Sequence, residues 1–166
     1  DMYDPADMPE PTRDTSELES DHPYQKLMHR KPVLESERDL RETQANYFGM
    51  ITEVDTSLGL LFDALDASGQ WEDTVIVFSS DHGEYLGDHY LIGKGHIYDP
   101  ALRVPRMVRD PSEAANATRG KTRGGFVESI DITPTILDLM GLEVPDRVQG
   151  ASLVGRIRGS AEMGKQ

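Results

Sequence analysis

The chain has 166 residues, of which 37% are hydrophobic and 28% charged, the proportions of an ordinary globular domain with one core. Seventeen Lys and Arg stand against thirty Asp and Glu, a net charge of −13. That balance argues against a nucleic-acid binder and against adhesion to an anionic membrane, since both need clustered cations. The absence of cysteine excludes disulfides, thiolate metal sites and a cysteine nucleophile within these residues. An anionic substrate is compatible with so acidic a chain only where a local cation reverses the field.

The opening stretch, DMYDPADMPEPTRDTSELESD, starts without Met and reads like the middle of something, so the chain is expected to be part of a longer protein. Residues 1–34 carry Pro5, Pro9, Pro11, Pro23 and Pro32 among many acids and show no periodicity. They are read as an extended polar lead-in or a plain linker, with His22 and His29 carrying no signal. Residues 35–166 form the body. From Glu35 to Ala67, the spacing of Tyr47, Ile51, Val54, Leu58, Leu61 and Leu65 predicts one face of a long helix, read as core. Ser36 with Asp39 supplies a start and Gly69 a stop.

TVIVF (residues 74–78) is a β-branched run of strand length. Its unbroken apolarity predicts burial on both faces, as in a parallel sheet covered by helices. Helix, short connection, buried strand and polar loop is the order of an α/β fold, in which ligands gather beyond the carboxyl ends of strands. Further on, Leu102 to Val108 is expected to be a short strand, residues 110–125 a loop, and Phe126 to Ile130 a short strand or extended piece. Thr133 and Pro134 should then open a helix running to Met140 and stopped by Gly141.

The segment SSDHGEYLGDHYLIGKGH follows the predicted strand directly. At a strand end the backbone turns, so Asp81 and His82 can converge on one point. A carboxylate oxygen and a neutral imidazole nitrogen suit a borderline divalent cation such as Mn²⁺ or Zn²⁺. The same pair would serve equally as a capping Asp with a packed His, and spacing alone leaves both open. Lys94, between Gly93 and Gly95, can bring an ammonium close to an anionic oxygen; a solvated loop lysine is the plainer alternative. His82, His89 and His96 recur at equal spacing, but the intervening glycines exclude a helix that would align them. Glu84 is expected to bond the turn presenting Asp81, while Asp88 and His89 lie in the loop body and support the site from behind. No zinc-protease, nucleotide-loop or serine-protease motif is present.

Three blocks, SSDHGEYLGDHYLIGKGHIYD, RVPRMVRDP and VESIDITPTILDLMGLEVPDRVQGASL, resemble in that order the C-terminal part of type I sulfatases. Within the alkaline phosphatase superfamily the likeness is strongest to the phosphonate monoester hydrolase branch, and it runs from about Tyr3 to Leu153. The resemblance implies a partial alkaline phosphatase-like α/β fold, a mixed sheet with flanking helices. It implies that Asp81 and His82 bind one divalent metal ion, Ca²⁺ or Mn²⁺. Many sulfatases have Asn at the second place, and His there resembles the phosphonate-hydrolysing branch. The family's catalytic lysine falls on Lys94, and His96 is read with Lys94 as substrate-binding.

The chain departs from the family in two ways. Arg106-Met107 stand where two apolar residues usually follow RVP. No C/S-x-P-x-R motif, from which the formylglycine nucleophile is made, occurs here; PEPTR at Pro9 to Arg13 has Pro in the place of the modified residue. The implied protein is a hydrolase of sulfate, phosphate or phosphonate esters with formylglycine upstream, inactive as this piece alone. Its expected partners are a small anionic ester and the remainder of its own chain, with an oligomer possible and the compartment undecided. The alternatives are a non-catalytic sulfatase-like interaction module and a phosphatase relative with a Ser or Thr nucleophile.

Overall fold

Ser36 opens the longest element. Its Oγ accepts the Asp39 amide at 3.2 Å and donates to Asp39 Oδ2 at 2.7 Å, which caps α2, Glu37–Ala67, in the computed structural model of the chain. The helix stops where Gly69 takes φ 72°, and the Gln70 amide closes back onto Leu65 O at 2.9 Å. The structure describes residues 2–29, 36–95 and 97–160. They gather into two compact units, the first made of Asp1–Ala64 with His82–Val104 and the second of Leu65–Asp81 with Pro105–Gln166.

In the first unit the lead-in has local order. Asp4 and Asp14 each accept an amide two residues ahead and cap the 3₁₀ turns Pro5–Asp7 and Thr15–Glu17. A short helix α1 follows at Pro23–Met28, with Pro in its first turn. Only the beginning of α2 is buried: Leu40, Gln44 and Ala45. The Gln44 amide donates to Leu86 O at 2.9 Å and to Pro9 O at 3.3 Å, and so ties helix, loop and lead-in together. The apolar stripe read as core is instead bare in this chain. Ile51, Val54 and Leu61 are 53%, 52% and 53% exposed, and Tyr47, Leu58 and Leu65 are half-buried. The core of this unit is small and lies elsewhere, with Tyr85, Leu91 and Ala101 packed against Met28 and Tyr98. Ala101 belongs to α3, Asp99–Leu102, a helix where the sequence suggested the start of a strand; Pro100 in its first turn favours that.

In the second unit, β1 is Ile76–Ser79 and β2 is Arg106–Arg109. They pair antiparallel, with Ile76 opposite Arg109 and Ser79 opposite Arg106. The expected strand buried on both faces is therefore corrected: β1 is half-buried along its length and forms a two-stranded sheet among the described residues. Apolar composition states what a strand needs, and here one neighbour supplies part of it. Residues 126–130 form no strand. Phe126 is 93% exposed, and Ser129–Asp131 is a 3₁₀ turn.

That turn leads into α4, Ile132–Leu139, whose Pro134 sits in the first turn and whose stop is Gly141 at φ 69°. Asp131 is fully buried, its two oxygens accepting the Ala151 and Glu128 amides at 2.8 and 2.9 Å. The tail ends in α5, Val154–Ile157. Two glycines mark close approaches of backbone. A Cβ at Gly83 would lie 1.9 Å from Pro100 O, and one at Gly150 would lie 2.1 Å from Ile130 O.

Candidate functional site

The polar loop begins where β1 ends. Asp81 follows the strand by two residues, is exposed and closes one segment of the second unit. His82 opens the matching segment of the first unit and is half-buried. Its Nδ1 lies 2.9 Å from Gly83 O. A carbonyl only accepts, so Nδ1 carries the proton and the lone pair of the neutral ring is on Nε2, the arrangement that suits a metal-ligating histidine. Among the described residues, no group of three or more His, Asp or Glu is gathered as a metal centre. Asp81 and His82 carry a carboxylate and an imidazole, donor types that a divalent cation accepts.

Lys94 is exposed, and its backbone is fixed from both sides. Gly93 and Gly95 take φ 85° and 96°, a region that disfavours side chains. The Gly93 amide donates to Glu84 Oε1 at 2.5 Å, Gly93 O accepts the Tyr85 amide at 3.1 Å, and Gly95 O accepts the Tyr85 hydroxyl at 2.7 Å. Glu84 Oε1 also accepts the Leu86 amide at 3.2 Å, so this carboxylate holds the Lys94 turn. Tyr85 is 1% exposed, and burial pushes its phenol above the usual value. It therefore stays a neutral donor throughout the physiological range.

Asp88 and His89 face the lead-in. Asp88 Oδ1 accepts the Thr12 amide at 2.7 Å, and the His89 amide donates to Thr12 O at 2.8 Å. His89 Nδ1 is 2.9 Å from Glu17 Oε1, with the ring stacked 3.9 Å from that of Tyr98. Arg13 donates to Gly87 O at 2.8 Å and covers the Tyr90 ring. Leu86, His89 and Tyr90 all have positive φ, of 47°, 54° and 58°. Three such non-glycine residues in one loop persist only where surrounding bonds over-determine the backbone.

Reasoning from sequence missed Tyr85, the one fully buried aromatic of the loop, and His29, whose Nε2 donates to His89 O at 2.9 Å. A bulky aromatic followed by Leu86 within an otherwise polar, glycine-rich segment was the available signal for the first. His96 lies outside the described residues.

Comparison with solved structures places the frame. The chain superposes on the phosphonate monoester hydrolase of Silicibacter pomeroyi with a TM-score of 0.89 and 36% identity, covering 99% of this chain and 34% of that one. With the phosphonate monoester hydrolase of Agrobacterium radiobacter the TM-score is 0.87 and the identity 34%, covering 99% and 35%. The fold is thus α/β of the alkaline phosphatase-like class. A family model described as Sulfatase matches residues 3–142, and the chain belongs to that family. It is 46% identical to the multifunctional alkaline phosphatase superfamily protein of Trinickia caryophylli over 71% of its length and 23% of the relative's. It is 34% identical to an arylsulfatase of Clostridium perfringens over 92% and 32%. The chain spans a third or less of the length of these curated relatives.

Proposed function

We propose that this chain is the C-terminal part of a metal-dependent hydrolase of sulfate, phosphate or phosphonate esters whose formylglycine nucleophile lies on upstream sequence. The observation that carries the reading is the whole-chain likeness to two phosphonate monoester hydrolases, with an Asp-His pair directly after β1 and a lysine on a pinned turn. A divalent cation bound there would supply Lewis-acid polarisation of the ester and of the attacking group. Asp81 would hold it through a carboxylate oxygen and His82 through Nε2, the ring oriented by its Nδ1 bond to Gly83 O. Lys94 would donate from its ammonium to the ester oxygen on which negative charge develops. Glu84 and Tyr85 would act on Lys94 by restricting the backbone that carries it. A cation and an ammonium serve sulfur and phosphorus centres alike, so the reading covers both.

The test is the longer reading frame. Expressed with the sequence upstream of Asp1, the protein should release nitrophenol from an aryl phosphonate monoester or an aryl sulfate, and a chelator should stop it. Asp81→Ala should lower metal content together with turnover, and Lys94→Ala should lower turnover about 10²-fold or more with metal retained. An upstream frame without a C/S-x-P-x-R motif, or Asp81→Ala with unchanged metal and rate, would overturn the reading.

A further inference from the structure

The charge of this chain is distributed unevenly. Against a net charge of −13, a cavity of about 560 Å³ in the second unit is lined by Arg106, Arg109, Arg119, Lys121, Arg123 and Arg156. Asp110 is its single acid among the described residues, and Arg158 Nε already donates to Asp110 Oδ2 at 2.8 Å. The volume is that of a small-molecule site.

Neutral acceptors hold most of these cations. Arg106 donates to Glu128 O at 2.6 Å, Lys121 to Ala117 O at 2.7 Å and Arg119 to Ser112 O at 3.3 Å. Arg109 donates to Thr74 O at 2.8 Å, and its guanidinium lies over the Trp71 ring, with exposed Glu72 at 3.5 Å. A carbonyl fixes a guanidinium in place without cancelling its charge, so the cavity is a pre-arranged positive field. A second observation is independent of the count of charges. Arg106 Nε is buried and has no acceptor among the described residues. Buried donors are paired in native proteins, so the Arg106 side chain has a donor to spare for an acceptor brought within its reach. Val108, Val127 and Ile157 add an apolar portion to the wall.

We propose that this cavity binds a multiply charged oxyanion, a ligand bearing two or more phosphate or sulfate groups, held by the cations that line it. None of its lining residues belongs to the set Asp81, His82 and Lys94, and the proposal stands whether or not the hydrolase reading holds.

Inorganic pyrophosphate titrated calorimetrically into the 166-residue chain is the direct probe, with acetate as the monoanion control. Saturable binding near one per chain is expected for pyrophosphate, weakening about tenfold or more between 50 and 200 mM salt. The double change Arg119→Gln with Arg123→Gln, both on exposed residues, should weaken it at least tenfold with the unfolding midpoint unchanged. Arg106→Gln should weaken it as much, and Lys94→Gln should leave it as it was. Absence of saturable binding would overturn the proposal. So would an affinity untouched by the Arg119/Arg123 pair, or one lost through Lys94→Gln alone, which would assign the anion to the loop.

Discussion

The first turns of α2 and its middle belong to one continuous helix, yet they live in different surroundings. Leu40 is 1% exposed and packs so closely on Gly87 that a Cβ there would meet Leu40 Cδ2 at 2.8 Å. About three to four turns later Ile51 and Val54 are more than half exposed. The difference shows which forms of order this chain completes by itself. Polar contacts through Gln44, Glu84, Tyr85 and Asp88 join helix, loop and lead-in within these residues. Its apolar stripe has no comparable cover among the described residues, in a chain that spans about a third of the Silicibacter hydrolase it matches.

The comparison can be broken by substitution. Leu40→Ala should have the largest effect, destabilising the chain by about 2–5 kcal/mol, because it empties a filled contact between helix and loop. Urea unfolding measures it, and a loss below ~1 kcal/mol would deny that the beginning of α2 is anchored. Tyr85→Phe should cost about 1 kcal/mol, since it removes the part-buried hydroxyl bond to Gly95 O. The loss should be accompanied by faster proteolytic nicking at Lys94 on the same turn.

Acid offers a lever on the second unit that leaves the Leu40 contact alone. Burial pushes the Asp110 carboxyl up, but hydrogen bonds from Arg158 and Ser112 outweigh it and hold the carboxyl below its usual range. The ionised form is therefore favoured on folding. Its stabilisation is present above the ordinary carboxylate pKa of about 4 and is lost as pH falls through the lower folded value. Stability measured from pH 6 down to pH 2 should decline in that lower window, and Asp110→Asn should flatten part of the decline. Ile51→Gln should be nearly silent, within about 0.5 kcal/mol, because the site is exposed. The same change made in the longer protein of the proposed function should cost several times more if its further residues cover the stripe, and a large cost in the present chain would collapse the contrast.

Much of the fold was legible for physical reasons that the same residues display. The spacing of Tyr47 to Leu65, the Ser36 cap and the Gly69 stop delimit α2 because helical period and end chemistry are local. Pro134 and Gly141 bracket α4 in the same way. Burial was less legible. The unbroken run at Thr74 to Phe78 correctly signalled a strand, but a strand's partners come from distant sequence, and β1 has a single antiparallel neighbour among the described residues. In the loop, residue types pointed to Asp81, His82 and Lys94 as candidates. The hold that Glu84 and Tyr85 exert on the Lys94 turn depends on a conformation in which Leu86, His89 and Tyr90 adopt positive φ. Leu and Tyr give no local sign of that, since the lead-in imposes it through Thr12 and Arg13.

The close approach at Gly83 bears on how this chain can change over generations. Its amide donates to Ala101 O at 2.9 Å while the missing side chain leaves room for Pro100 O. Every single-nucleotide missense change of a glycine codon adds at least a methyl group, and here that group would land inside a carbonyl oxygen. Lineages descending from this gene should therefore retain glycine at position 83.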